Sequence, residues 1–369
     1  MYRFVHVPAL YDDTVVGNPG GSKYFFSTCI RLLQDILDNG VILLDQNIER
    51  SVIQSEINAY VGKWPQEYRT KAQELLKQLN TRHRLVVADA ALLGNDGNTA
   101  IGCRHALAIA KVSRPDAVIT PSRCKCCSVC DLTGLSVIPL EHYSLSNFAE
   151  ARRRGQHLEN QYRQRTREEF EQEVWNPLFR DAKNVRILDR VIGHKLNENP
   201  SCKNYADAAK DFARGIKWVF DQFVEHSRPN RNRSFEIVCE LKTMQWEKDP
   251  KSGKRSSQRV NQDILAKQNQ ILQDFARQLA QDHSGKVPVQ MTVYCQGRRS
   301  ERMPHARFLF TDQVALLVES GFDLLDQYDN VRDVQIKHVQ DQGKIETQIR
   351  PLLVAPATNM DSLRLNRGR

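Results

Sequence analysis

The chain has 369 residues, a mean hydropathy of −0.54 and a formal net charge of +9. It contains no run of 18 apolar residues, and its first residues lack a basic leader followed by an apolar core, so we expect neither a membrane-spanning helix nor a secretory signal. Its nine cysteines are an odd number, which favours a reducing cytoplasm over a disulfide framework.

Helical and strand patterns alternate through the first half of the chain. A helical pattern runs from Lys23 to Asn39 and stops at Gly40, a common helix terminator. Further helices are predicted at residues 47–61, 66–80 and 100–112, and strands at 41–45, 85–89, 116–120 and 135–140. Alternation of this kind is typical of a parallel β-sheet covered by helices, so residues 1–148 are expected to form an α/β domain.

A charged helical pattern over residues 149–182 predicts a connector between two domains. The second domain is expected at residues 183–345, again α/β, and the tail at 346–369 is expected to be frayed. Residues 247–259 are polar and basic and contain Gly, Pro and Ser, which predicts a disordered loop within this second domain.

The positive charge lies in the second part of the chain. Residues 1–150 carry 15 Lys and Arg against 15 Asp and Glu, so the net charge of +9 comes entirely from residues 151–369, which carry 38 and 29. Such an excess favours nucleic acid or anionic head groups as partners, although a merely basic soluble surface would give the same count.

The segment from Met303 to Asp312 combines a histidine, an arginine and an acid at the edge of an apolar strand pattern. His305 and Arg307 are two residues apart, so on a strand they share a face. An imidazole beside a guanidinium suits a phosphate ester, because the first can attack or carry a proton while the second holds an oxyanion.

This segment resembles the HxKx4D signature of the phospholipase D superfamily, with Arg307 in the lysine position. The order of elements over about residues 180–345, together with Gly321-Phe322-Asp323, is similar to the phospholipase-D-like domain found C-terminal to MIT domains. The resemblance implies that His305, Arg307 and Asp312 are catalytic, and that a single-copy member builds its active site across a homodimer. The MIT-associated relatives instead bind anionic lipids without hydrolysis. His305 is therefore a nucleophile, a ligand-binding residue or a structural histidine.

Other cations are predicted to extend this phosphate site. They come from the loop before His305 and from the basic segment at 247–259, and they are Arg298, Arg299, Arg302, Lys254 and Arg255.

The first domain resembles a PIN-like domain. The residues that carry the likeness are Ile42 to Asp45, His105 to Ala110 and Asp116 to Thr120. PIN nucleases hold Mg²⁺ or Mn²⁺ with carboxylates at strand ends, which implies Asp45 as a metal ligand and catalytic residue. Two of the family's acids are missing here, and Asp89 and Asp96 are candidates to replace them. The alternative is that these two residues only shape turns.

The cysteines Cys124, Cys127 and Cys130 follow one another at C-x2-C spacing. A C-x2-C turn can direct two thiolates to one tetrahedral Zn²⁺, so a structural zinc site is predicted. Its fourth ligand would be Cys103, His105 or His142. A set of reduced thiols in a loop is the alternative.

Both resemblances imply phosphodiester chemistry. They predict a cytoplasmic nuclease or degenerate nuclease acting on nucleic acid, and fold-level analogy suggests a prokaryotic defence or toxin system. The alternative is a non-catalytic adaptor whose basic half binds nucleic acid or anionic lipid and whose first half contacts a protein partner.

Overall fold

The computed structural model describes most of the chain in two compact units, which comprise Met1–His157 and Leu158–Arg369. The described residues are 3–11, 22–94, 101–113, 115–121, 136–146, 149, 166–180, 182–199, 201–227, 232–248, 255–295, 303, 305–311, 315–334 and 336–338. The described part of each unit is built around one β-sheet with helices.

The sheet of the first unit is parallel throughout. Its strands are β1 (Arg3–His6), β2 (Gly40–Leu44), β3 (Leu85–Val87), β4 (Ala117–Thr120) and β5 (Val137–Pro139). They lie in the order β3-β2-β1-β4-β5. Strands β2 and β4 are buried along their whole length, as expected where helices cover both faces of a parallel sheet. The central strand, β1, was not among the predicted strands.

The described part of the first unit contains four helices and two short 3-10 segments. They are α1 (Ser22–Asn39), α2 (Val52–Gly62), α3 (Gln66–Thr81) and α4 (Ile101–Val112), with 3-10 turns at Pro8–Leu10 and Leu140–Leu145. Helix α2 begins later than the sequence pattern indicates, because the Ser51 hydroxyl accepts a hydrogen bond from the Gln54 amide and caps the helix there.

The sheet of the second unit is mixed. Its six strands are β6 (Asn184–Leu188), β7 (Ser234–Leu241), β10 (Val289–Cys295), β11 (Phe308–Thr311), β12 (Ala315–Val318) and β13 (Ile336–His338). The order is β10-β7-β6-β11-β12-β13. The first three strands are parallel, and each remaining neighbour pair is antiparallel.

The main helices of the second unit pack with this sheet and with one another. They are α5 (Arg167–Phe170), α6 (Asn176–Phe179), α7 (Arg190–Glu198), α8 (Tyr205–Ala208), α9 (Lys210–His226) and α10 (Gln262–Asp282), and a π-helical turn, Glu171–Trp175, links α5 to α6. The ring centroids of Trp175 and Trp218 are 5.7 Å apart, and Trp218 Nε1 donates to Glu171 Oε1 at 2.6 Å. Part of the segment predicted as a connector therefore packs in the core of the second unit.

Strands β8 (Met244–Lys248) and β9 (Arg255–Arg259) form a separate two-stranded antiparallel sheet. The amide of Val260 donates to the carbonyl of Thr243 at 2.9 Å and closes the base of this ribbon. The prediction of a disordered loop at residues 247–259 was therefore wrong for the residues that form these two strands. Backbone hydrogen bonds between the strands order a polar sequence that has little apolar surface to bury.

Across the described residues, no helix combines the length and the apolar character that crossing a membrane requires.

Candidate functional site

The candidate site lies where the parallel and antiparallel parts of the second sheet meet. Strand β11 runs antiparallel to β6, with Phe308 opposite Leu188. The residues that precede Phe308 therefore meet those that follow Leu188, at the edge where β6 and β7 end. This pairing brings His305 and Arg307 together with Asp189 and Arg190, although Arg190 and His305 are 115 positions apart in the sequence.

Asp189 and Arg307 form the inner layer of this site. Asp189 is fully buried, and its Oδ1 accepts a hydrogen bond from the Val191 amide at 2.8 Å, which caps α7. Arg307 Nε lies 3.7 Å from Asp189 Oδ1, and Arg307 Nη1 donates to the Glu319 carbonyl at 2.6 Å. The guanidinium is thus held in one orientation with 29% of its side chain exposed.

Gly321 completes the wall behind these two side chains. Its φ of +94° is one that residues with a side chain rarely adopt. A Cβ atom built there would lie 3.3 Å from Arg307 Nε and 3.4 Å from Asp189 Oδ2. The Gly321-Phe322-Asp323 segment noted in the sequence therefore contributes backbone shape to the site.

His305 and Arg190 form the outer layer. A guanidinium nitrogen of Arg190 contacts Nδ1 of His305, whose side chain is exposed. Because a guanidinium can only donate hydrogen bonds, Nδ1 must accept, and the proton of the neutral imidazole then sits on Nε2. In this arrangement Nε2 offers an N–H to an incoming anion. A histidine nucleophile needs the reverse arrangement, in which Nδ1–H is held by an acceptor and Nε2 presents its lone pair.

Burial dominates the electrostatics of Asp189. It raises the pKa of this carboxyl group from 3.8 to about 6, and the hydrogen bond from Val191 and the charge of Arg307 only partly oppose the effect. The carboxylate of Asp323 acts in the same direction as burial. The charge of the Asp189 carboxyl group therefore changes near pH 6.

This raised pKa predicts that the second unit gains stability in mild acid. Between pH 4 and 6 the folded state keeps the Asp189 proton that the unfolded chain releases, so stability falls as pH rises through this window. The full difference amounts to about 3 kcal/mol. Urea titrations followed by amide exchange of peptides covering residues 184–198 should show this dependence, Asp189→Asn should remove it, and the exposed Asp274→Asn should retain it. An unchanged slope in Asp189→Asn would rule out Asp189 as its source.

A second buried carboxylate holds the segment that carries His305. Glu240, near the end of β7, has 1% exposure. Its Oε1 lies 3.0 Å from His194 Nε2, and its Oε2 accepts from the Met303 amide at 3.3 Å. A Cβ added at Gly193 would meet the Glu240 carbonyl oxygen at 2.2 Å, so α7 can approach β7 this closely only with glycine there. His194 and Glu240 thereby fix the position of the chain two residues before His305.

The structure brings together only some of the residues predicted for this site. His305 and Arg307 are adjacent at the sheet edge, whereas Arg255 begins β9. The predicted residues Asp312, Arg298, Arg299, Arg302 and Lys254 lie outside the described residues. Asp189 and Arg190 were not predicted as site residues. The sequence feature that could have identified these two residues is an apolar strand that ends directly before an acid and a cation.

In the first unit, Asp45 caps a helix. It is fully buried, and its Oδ1 accepts from the Ser51 hydroxyl and from the Ile53 amide at 3.3 Å, while Oδ2 accepts from the Val52 amide at 3.1 Å. These bonds occupy both oxygens at the N-terminus of α2, where a negative charge is stabilised. This arrangement accounts for the acid at the end of β2 without a metal.

The other predicted metal ligands do not gather around Asp45 in the described structure. Asp89 is exposed and has a φ of +53°, which is typical of a turn. Asp96 and the cysteines Cys124, Cys127 and Cys130 lie outside the described residues. Among the residues that are described, no three His, Cys, Asp or Glu side chains are grouped as a metal site requires.

A buried chain of polar side chains, not predicted from the sequence, follows β1. Tyr11 Oη lies 2.8 Å from His6 Nε2 and 3.2 Å from His105 Nδ1. Glu56 Oε2 is 3.6 Å from the same His105 nitrogen. Burial, with a smaller contribution from His105, lowers the pKa of His6 to about 3, so His6 is neutral at physiological pH. The Tyr11 hydroxyl group thus links His6, on the central strand of the parallel sheet, to His105 on α4.

Comparisons with protein-family models, with curated proteins and with solved structures found no match for this chain.

Proposed function

We propose that the second unit binds the phosphodiester backbone of nucleic acid at the edge formed by Arg190, His305 and Arg307, without hydrolysing it. The observation that carries this proposal is the contact between Arg190 and His305 Nδ1. It leaves an imidazole N–H and two guanidinium groups around one exposed edge. All three are hydrogen-bond donors, and two of them carry a permanent positive charge, which is the chemistry that phosphate oxygens require.

The charge of the surrounding chain also supports anion binding at this edge. The surplus of positive charge in residues 151–369 adds a longer-range attraction for a polyanion. Asp189 lies beneath the edge and orients Arg307 while remaining fully buried, so it does not itself face a phosphate.

Hydrolysis by His305 is the second candidate, and the exposure of its imidazole is the observation that favours it. A nucleophilic His305 would have to lose the hydrogen bond from Arg190 and turn an unprotonated nitrogen towards phosphorus. The metal chemistry predicted for the PIN-like first unit is a separate prediction. It would require Asp45 to bind a metal ion in addition to the three hydrogen bonds that its carboxylate already accepts.

Binding of a labelled oligonucleotide, measured by fluorescence anisotropy over a range of salt concentrations, tests the proposal. Arg190→Ala should weaken binding of every sequence about equally and should reduce the salt dependence by about one released ion. Arg277→Ala is the matched control. It removes the same charge near the C-terminal end of α10, and because α10 leads back to the start of β10, this position lies at the opposite edge of the sheet.

His305→Gln separates binding from catalysis. The glutamine amide can replace the Nε2–H donor but cannot act as a nucleophile. We expect His305→Gln to retain most of the affinity and His305→Ala to lose it, with no cleavage by the unmodified protein in the presence of Mg²⁺ or EDTA. Cleavage that resists EDTA and disappears in His305→Gln would overturn the binding proposal in favour of a nuclease. EDTA-sensitive cleavage would point to the first unit.

A further inference from the structure

Asp189 lies on the buried side of Arg307. The carboxyl group is fully buried, whereas 29% of the Arg307 side chain is exposed, and Arg307 Nε is 3.7 Å from Asp189 Oδ1. The backbone of Gly321 lies against the other oxygen, since a Cβ atom built there would be 3.4 Å from Asp189 Oδ2. The carboxyl group therefore does not meet a ligand itself, but its charge acts on any anion that Arg307 binds.

The groups that face Asp189 come from several elements of the second unit. Strand β11 supplies Arg307, the segment after β12 supplies Asp323, and α8 and β7 supply Tyr205 and Cys239. Burial raises the pKa of the Tyr205 hydroxyl group and of the Cys239 thiol, so these two groups stay neutral at physiological pH. The charge of an ionised Asp189 is therefore balanced by Arg307 and opposed by Asp323.

An ionised Asp189 and a bound phosphate would share the guanidinium group of Arg307. The bond from Arg307 Nη1 to the Glu319 carbonyl, at 2.6 Å, holds this group in place between the two anions. Two like charges would then be separated by one guanidinium group, and water screens the buried one poorly. A proton on Asp189 removes the repulsion and leaves the whole charge of Arg307 to the phosphate.

We propose that the binding of nucleic acid at this edge is coupled to protonation of Asp189, so that the second unit takes up a proton when a phosphate binds. This inference rests on the proposed function and adds its regulation by pH. Linkage is reciprocal, so a bound phosphate raises the pKa of Asp189 above its value of about 6 in the free protein. Affinity should be highest below about pH 6, fall as pH rises from there to the raised pKa, and then level off.

Fluorescence anisotropy of a labelled oligothymidylate with hydroxyl ends, at constant ionic strength, tests the coupling. This probe carries no group that titrates between mildly acidic and neutral pH. Imidazoles do titrate in that range, so the measurement is made in His305→Gln, which is expected to keep most of the affinity. In this variant the oligonucleotide should bind about five- to fiftyfold more tightly at pH 5.5 than at pH 8.

Addition of Asp189→Asn to His305→Gln should give the higher affinity at both pH values. Asparagine carries no charge, and its side-chain oxygen can still accept from the Val191 amide and cap α7. Asp274→Asn is the matched control, because it removes an exposed carboxylate from α10 and should keep the pH dependence.

Titration calorimetry measures the proton directly and needs no substitution of Asp189. Binding of the same oligothymidylate to His305→Gln at about pH 6.5 is measured in two buffers that differ in ionisation enthalpy. The difference between the two binding enthalpies gives the number of protons exchanged, and we expect a net uptake.

The outcomes separate the coupling from the proposed function. If His305→Gln binds the oligothymidylate with the same affinity at both pH values and without proton uptake, the coupling is overturned and the binding edge stands. An equal pH dependence in the double variant would assign it to another group and would also overturn the coupling. If no oligonucleotide binds to the unmodified protein at either pH, both proposals fail.

Discussion

Replacement of Glu240 by alanine is expected to lower the free energy of unfolding of the second unit by about 2–5 kcal/mol, because two buried donors lose their acceptor at about 1–3 kcal/mol each. The change leaves His194 Nε2 and the Met303 amide without their acceptor in a buried place. Each orphaned donor is costly because water cannot replace the lost bond. The release of Met303 should also weaken oligonucleotide binding, since His305 is two residues further along.

A double-mutant cycle isolates this effect. Urea unfolding of Glu240→Ala, His194→Ala and the double variant should give a coupling energy of about 1–3 kcal/mol, because the two side chains share a hydrogen bond. Additive losses would show that His194 and Glu240 act independently. If the oligonucleotide affinity of Glu240→Ala were normal under conditions where the protein is folded, Glu240 would have no part in positioning His305.

Replacement of Gly215 by alanine is the second change with a large expected effect. Gly215 lies in α9, and a Cβ atom there would stand 1.9 Å from the Phe322 carbonyl oxygen and 3.0 Å from the Leu324 amide nitrogen. Both atoms are backbone, so relief requires that the helix or the segment after β12 moves. We expect a loss of about 3 kcal/mol or more, at the upper end of overpacking effects, in urea unfolding monitored by the emission of Trp175 and Trp218.

Gly62→Ala is the control for the Gly215 prediction. Gly62 is also a helical glycine, at the end of α2, but an added Cβ meets no atom within 4 Å. Alanine has the higher helix propensity by about 1 kcal/mol, so this variant should be as stable as the unmodified protein or slightly more stable. A Gly215→Ala variant that unfolds within about 0.5 kcal/mol of the unmodified protein would show that the contact yields at little cost.

The strands of the first sheet could be predicted because they are continuous apolar runs. Residues 41–44 and 117–119 are bounded by turn residues and are buried on both faces. Strand β1 escaped prediction because it is short and contains Arg3 and His6. The burial of His6 depends on Tyr11 and His105, and no local pattern reports a partner that lies 94 positions beyond Tyr11.

The candidate site could be predicted only in part for the same reason. The two-residue spacing of His305 and Arg307, which predicts a shared strand face, was visible in the sequence. Their neighbours in space depend on the pairing of β6 with β11, which brings together distant parts of the chain. Asp45 shows the opposite case. Its place at the end of a strand was predicted, whereas its role as the cap of α2 follows from the way the chain turns back through Ser51.

The long separation between Arg190 and His305 also has a consequence for synthesis on the ribosome. Their contact spans 115 positions, and Arg307 is anchored only when the carbonyl of Glu319, after β12, is in place. Because a chain emerges from its N-terminus, α7 would leave the ribosome well before the candidate site can be completed. A nascent or truncated chain that ends before β12 would therefore carry Arg190 without the partners that complete the candidate site.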